Sequence, residues 1–571
     1  MKKQLFNKIT GKLNLYGISF LFAFILVMLG QMTTSEAVIA PASYVIYKGG
    51  TTYYAQNGQT GVNDYSGTDA ATVIQNVIDA LINGGLIILK NATYVIATPV
   101  SLDSSISVQG ESRAGTIIQA AASIGGTGTR GLFELDDFGV TTTPITNVYI
   151  GNMTFDLTTN TDAYIKAIGQ RAYRPVQNLL IEKINMDLDT EHNGIVLENL
   201  GISSTIASYN ITIKDIFTRN GSGTVNLYLN ASAASSLYYN VKIENLYNLI
   251  DVNGVGDDRV AIIGNFPAGG GVAEVRGVSI RDVYVFVAST VTSGLIQGVK
   301  FDTGANCYLH DMLVDGVFFV NAPSGTIGQA VSSILGGNSF FQNATISNVF
   351  SKNGGGIKMF ISRRDPNPFI IIEKFAMYNL QDTIAGIEVY DPQGPSGDET
   401  VIIRNGSLFN AATIAGNLPV GIMFTGGSLQ GGSGIISIEG VFINSFSRGI
   451  SNNLNESGSL YTSTWTNIFV ENCNLANNGS NLSAVGNFQV RTTPAISLAG
   501  VTGITVGASP FTYTNNDNVP EAIYIDGGTV SDIKKNGTTI FTSTQKTIWL
   551  EPGESITVTY SQVPTMRKDQ K

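Results

Sequence analysis

Three charged side chains occupy one position of a recurring phrase: Asp156, Asp187 and Arg219. Each lies six residues after the central apolar residue of its phrase, which is Ile150, Ile181 or Ile213. If the phrases stack as neighbouring strands, equivalent residues sit about 4.8 Å apart. Two carboxyl groups that close bind a cation such as calcium, share a proton, or divide acid and base roles. Arg219 beside them would hold a sugar carboxylate, or act as a base if its pKa fell. The plain alternative is a solvated acidic edge relieved by an arginine. A second acidic pair, Asp257 and Asp258, stands in Gly256-Asp257-Asp258-Arg259-Val260-Ala261-Ile262, and Lys300 follows in Gly298-Val299-Lys300-Phe301.

Counting four residues past the centre gives Phe217, Tyr247, Tyr284, Leu313 and Phe350. This predicts an outward apolar ladder, with Phe217, Tyr247 and Tyr284 as candidates to bind substrate. Aromatic side chains along a groove suit sugar rings. A loop lying over the stripe accounts for it equally well.

The phrase that sets this register reads first as Val148-Tyr149-Ile150-Gly151-Asn152-Met153-Thr154-Phe155. It returns around Ile181, Ile213, Ile243, Ile280, Leu309, Ile346, Ile372, Ile403, Ile438 and Val470. Self-similarity at such spacing indicates a repeat architecture. Val148 and Ile150 share one face of a strand, and so do Met153 and Phe155, but the parity changes between the pairs. The chain must therefore bend at Asn152, and Asn and Asp suit a corner in left-handed backbone geometry. Asp215, Asn245, Asp282, Asp311, Asn348, Asn405 and Asn472 are assigned the same corner. A strand, a tight corner and a second strand facing one interior make a coil of a parallel β-helix. A β-sandwich gives no reason for the parity change.

The rest of the chain fits that frame. Its 571 residues include 64 Gly, with 43% hydrophobic and 13% charged residues, too apolar for a disordered chain. A net charge of −10 argues against nucleic acid and anionic membranes as partners. Lys2, Lys3, Lys8 and Lys12 precede an apolar run over residues 13–30. That is a signal peptide or a single membrane anchor within residues 1–40, and it predicts a secreted or cell-surface location. Residues 45–100 read as an N-terminal cap and first coil. Within it, Thr68 or Asp69 caps a helix over Ala70–Asn83 with an apolar stripe, ended by Gly84-Gly85. Residues 101–505 form the β-helix, and 515–563 a small antiparallel β-domain with turns at Asn536-Gly537 and Pro552-Gly553. A second phrase, as in Gly194-Ile195, Gly298-Val299 and Gly386-Ile387, starts a further strand of each coil. The stretches Gly254–Gly277 and Ser324–Gly337 read as loops inserted between phrases. Cys307 and Cys473 take inward places and read as buried apolar residues.

Asp69–Ile96, with its acidic residue, amphipathic helix, Gly-Gly, strand and Asn91-Ala92-Thr93-Tyr94 turn, resembles the start of pectate lyase superfamily proteins. With the repeats, the resemblance to right-handed β-helices of the pectin lyase type covers residues 45–500. It implies an all-β, right-handed parallel β-helix with a capping helix. The stretch Asn240–Asn245, followed by Gly256–Ile262, resembles the polygalacturonase family of glycoside hydrolases. There two aspartates at the places of Asp257 and Asp258 join a third in inverting hydrolysis, and Lys300 takes the place of the family's arginine. The third aspartate has no counterpart, because Gly223–Tyr228 contains no acid. Two functional readings follow. One is an exported enzyme that hydrolyses or eliminates uronate polysaccharide through Asp257, Asp258, Asp187, Asp156, Arg219 and Lys300. The other is a non-catalytic surface or structural protein whose groove holds glycan.

Overall fold

The computed structural model describes residues 42–124, 130–135, 143–162, 165–170, 175–189, 192–199, 207–229, 236–252, 258–266, 272–292, 295–304, 306–320, 327–335, 339–360, 369–380, 385–391, 400–410, 420–426, 435–452, 467–475, 478, 480–483, 488–491, 502–516, 521–544, 546–550 and 553–570. The signal or anchor expected within residues 1–40 lies outside them. Among the described residues no helix is long and apolar enough to cross a membrane.

The chain winds as a right-handed parallel β-helix. One strand of each coil joins a 19-stranded sheet and another a 13-stranded sheet. In the long sheet, Ile145–Asp156, Val176–Asp187, Ser208–Arg219, Ser236–Ile250 and Ala273–Val287 pair in parallel, each with the next. Ile150, Ile181, Ile213, Ile243, Ile280, Val314, Ile346, Ile372, Ile403, Ile438 and Val470 form one buried column through the interior. Each such side chain contributes roughly 1.5–3 kcal/mol by leaving water.

Each of these strands bends at two corners where the sequence reading placed one. The second corner is the expected one: Asn152, Lys183, Asp215, Asn245, Asp282, Gly316, Asn348, Lys374, Asn405, Gly440 and Asn472 all have positive φ. The first comes five residues earlier, at Asn147, Asn178, Asn210, Asn240, Gly277, Asp311 and Asn343. Its asparagines bond from coil to coil, Asn178 to Asn147 at 3.0 Å, Asn210 to Asn178 at 3.0 Å and Asn240 to Asn210 at 2.8 Å. Each amide thereby spends its donor and acceptor on the ladder while its backbone makes the turn. Asp311 belongs to this first corner, and the central residue of its strand is Val314, opposite Ile280, rather than Leu309.

The expected Gly-Ile phrase lies on the 13-stranded sheet, and its glycines have a steric cause. A Cβ at Gly356 would stand 1.6 Å from the Gly386 carbonyl oxygen, and one at Gly298 2.5 Å from that of Ala330. The two stretches read as inserted loops contain strands of this sheet, Asp258–Phe266 and Ile327–Leu335. Neither has a glycine just before its inward residue, Ile262 or Val331, where Ala261 and Ala330 stand instead.

At the N-terminal end a helix spans Ala70–Ala80, capped by Asp69, whose carboxylate accepts from the Ala71 and Thr72 amides at 3.3 Å. It stops short of the expected Asn83. Residues 502–570 hold two four-stranded antiparallel sheets with their own core of Ile523, Ile525, Ile533, Ile548, Leu550, Ile556, Val558 and Met566. Cys307 and Cys473 are buried free thiols.

Candidate functional site

Past the second corner, the last residues of each long strand alternate between core and solvent. Phe155, Met186 and Thr218 are buried, and Asp156, Asp187 and Arg219 lie in one outward column, each opposite the next. The fold therefore brings these three together in the register the repeat implies. Two residues earlier on the same face runs the column Asn185, Phe217, Tyr247, Tyr284, Phe318, Phe350. Acidic end and aromatic stripe are one continuous surface, because Phe217 and Arg219 share a strand and a face.

The carboxylates differ in their surroundings. Asp156 is held by Gln119 Nε2 at 2.9 Å and by the Thr158 hydroxyl and amide at 2.7 and 3.0 Å. Asp251, in the turn after Ser236–Ile250, accepts from Arg219 Nε and Nη2 at 2.9 and 2.8 Å and from Asn220 Nδ2 at 3.0 Å. Burial opposes ionisation of Asp251, but these bonds and the Arg219 charge outweigh it and hold its pKa below the usual carboxylate range. The Asp187 carboxylate accepts no hydrogen bond from a described residue, although its backbone carbonyl accepts from the Leu157 amide at 2.9 Å. Partial burial raises its pKa, Arg219 offsets part of that, and Asp156 and Asp251 raise it further.

Arg219 cannot serve as a base: its hydrogen bond to Asp251 and that carboxylate's charge raise its pKa. The partner that fixes it was missed in the sequence, because Asp251 lies two residues past the strand position equivalent to Arg219. Among the described residues no group of three or more His, Cys, Asp or Glu side chains is arranged to hold a metal ion.

The aromatic column holds Phe318 where Leu313 was expected, a direct result of centring that phrase on Leu309. Tyr247 and Tyr284 stack at 4.5 Å and 5°, and Phe318 and Phe350 at 4.6 Å and 9°. The stripe continues through tilted contacts to Tyr378 at 5.8 Å and from there to Phe409 at 6.5 Å. Within a stacked pair the inner faces cover one another and the ring edges point outward. Ring faces become available where stacking breaks, at Phe217, Tyr378 and Phe409, which are 40%, 38% and 36% exposed. Burial and Tyr284 push the Tyr247 phenol up to about 12, so its hydroxyl stays protonated and able to donate.

The remaining candidates are elsewhere. Lys300 is on the 13-stranded sheet, opposite Ile263, 6% exposed and 3.4 Å from Asp302. Asp258 opens the neighbouring strand Asp258–Phe266, opposite Leu295, and is offset from the Lys300 position by five residues, roughly 16 Å along the strands. Asp257 lies outside the described residues.

No protein-family model matches this sequence, and no curated protein matches it. Solved structures similar to it include the A-module of mannuronan C-5 epimerase AlgE6 from Azotobacter vinelandii, at 11% identity and TM-score 0.42, covering 74% of this chain and 93% of that one. The tailspike protein of E. coli bacteriophage HK620, in complex with a pentasaccharide, gives 11% identity and TM-score 0.42 over 88% of this chain and 90% of its own. The catalytic domain of GH87 alpha-1,3-glucanase in complex with nigerose gives 13% and 0.33 over 73% and 66%. No residue role is carried over from them.

Proposed function

We propose that this chain is an exported polysaccharide-binding β-helix protein whose glycan lies along the outward face from Asp156 to Phe409. The observation that carries this reading is the aromatic stripe with solvent-facing rings on a rigid, periodic face. Its coils repeat about every 4.8 Å, so one coil roughly matches the length of one sugar residue in an extended chain, and a bound chain meets exposed rings at intervals. Apolar ring contact and donors such as the Tyr247 hydroxyl are the means by which proteins hold sugars. The lysines before the apolar run of residues 13–30 support export to the cell exterior or surface.

A uronate polymer is the finer form of this proposal. Arg219 is already bound to Asp251, and Asp156 and Asp187 repel a carboxylate, so an acidic chain needs calcium between the two sets of carboxylates. Affinity electrophoresis in gels containing polygalacturonate, with and without calcium, or neutral glucan, separates the two forms. Phe217→Ala and Tyr378→Ala are expected to weaken binding about tenfold each. Unchanged mobility of both variants would sink the reading.

A second reading, hydrolysis, is favoured by one observation: Asp187 has a raised pKa beside the hydrogen-bonded carboxylate Asp156. A carboxylic acid next to a carboxylate supplies the proton donor and base that glycoside cleavage requires. Release of reducing ends that disappears in Asp187→Asn supports it. Release that survives the substitution rejects Asp187 as the acid.

A further inference from the structure

The C-terminal sandwich presents a surface that the solenoid's site does not use. Its first sheet runs in the order Thr502–Ile504, Thr565–Gln570, Glu521–Asp526, Lys546–Leu550. Ile523, Ile525, Ile548, Leu550 and Met566 point to the core shared with the second sheet. Alternation then sends Ala522, Tyr524, Thr547, Trp549, Arg567 and Asp569 to the opposite face.

An outward strand position on a sandwich favours a polar residue, yet Trp549 is 47% exposed there. The register sets Trp549 opposite Ala522, and Tyr524, two residues on, opposite Thr547 on one side and Arg567 on the other. Ala522 is fully buried although it points outward. Tyr524 stands diagonally across from the indole, within reach of a large aromatic side chain. Arg567 donates to Asp526 at 2.8 Å, and Lys535, which donates to the Trp549 carbonyl at 2.8 Å, is paired with Glu554 at 2.6 Å, so both cations are neutralised.

We propose that this face is a second glycan-binding site, and that it takes a neutral sugar chain. An indole with a phenol beside it offers a platform for the apolar face of a sugar ring. Thr547, the Tyr524 hydroxyl, Asp569 and the Arg567–Asp526 pair offer hydrogen bonds to the hydroxyls at its rim. Among the described residues of this face the charge without an ion-pair partner is Asp569, which is acidic and disfavours a uronate. A second protein is a poorer fit: two aromatic side chains amid polar ones fall well short of the apolar centre that a stable interface of about 1,600 Å² requires.

The test is affinity electrophoresis of the full chain in gels containing laminarin, xyloglucan, galactomannan or dextran. At least one polymer retards the unsubstituted chain. Trp549→Ala weakens that retention about tenfold, Tyr524→Ala weakens it less, and Trp549→Phe keeps most of it. The exposed position lets all three variants fold, which equal thermal melting confirms. Retention unchanged in Trp549→Ala, or no retention by any of the four polymers, overturns the proposal.

Discussion

Lys214 and Lys300 both point away from the solenoid interior, one from each long sheet, and their surroundings differ sharply. Lys214 belongs to an outward column of alternating sign, Glu182, Lys214, Glu244, Arg281, Asp315, and is 3.0 Å from Glu182 with 36% of its side chain exposed. Lys300 points outward between the core residues Val299 and Phe301, yet only 6% of it is exposed. Its column includes Glu134, Ser332 and Glu388, all nearly inaccessible, and Lys358, which pairs with Glu388 at 3.3 Å. One outer face is therefore solvated, with its charges balanced along the helix axis. The other is buried outside as well as inside, and its ions depend on their partners. Aromatic rings stand toward solvent on the first face. On the second, ionisable groups are placed for cohesion.

The largest expected effect tests that contrast directly. Lys300→Ala opens space where the buried lysine stem packs, at a cost of about 2–3 kcal/mol, while the Asp302 carboxylate, 37% exposed, stays solvated. Lys214→Ala removes a partly exposed pair and costs less than about 1 kcal/mol. Chemical denaturation of both variants checks the ratio. Equal losses would erase the distinction between the faces. Next comes Gly356→Ala on the 13-stranded sheet. The added methyl meets the Gly386 carbonyl oxygen, so the backbone must shift, and a loss of roughly 1–3 kcal/mol is expected. At the solvated corner, Asn245→Ala forfeits a residue tolerant of φ 55° and the bond to Asp215 at 3.0 Å, for about 1–2 kcal/mol. Asn245→Gly should recover most of that, because glycine adopts the corner without strain.

Much of this was legible in the sequence. The parity change at Asn152 implied the corner, the corner implied inside and outside, and that placed Asp156, Asp187 and Arg219 in one column. The first corner was equally visible, since Asn147, Asn178, Asn210 and Asn240 each precede the phrase's first apolar residue by one position. It passed unread because a single bend already satisfied the parity argument. The displaced register at Leu309 has a similar origin: Cys307-Tyr308-Leu309 alternates as well as Met312-Leu313-Val314, and only pairing with Ile280 decides between them. The burial of the Lys300 column was not legible. Alternation predicts which way a side chain points, and what then lies over it depends on distant chain. The Arg219–Asp251 pair was likewise hidden, because one partner is in a strand and the other in a turn whose length the repeat does not fix.

The smallest effect concerns Asp187, and it ties the solvated face to chemistry. Its folded-state pKa lies above the ordinary 3.8, so the folded chain keeps this proton to higher pH than the unfolded chain does. The contribution is most favourable below the ordinary value and is lost as pH rises through the folded one. Ionised Asp187 is thus a small liability at neutral pH, under about 1 kcal/mol once solvent screening is allowed for. Asp187→Asn removes it. The variant should match the unsubstituted chain below about pH 3.8 and become slightly more stable than it as pH rises through the folded-state value. Denaturation curves taken across that range read the difference. A substitution that stabilises the fold while it lowers glycan binding or cleavage would mark a residue retained for function rather than cohesion. Parallel curves would mean that Asp187 is an ordinary surface carboxylate, and the solvated face would then be defined by its rings alone.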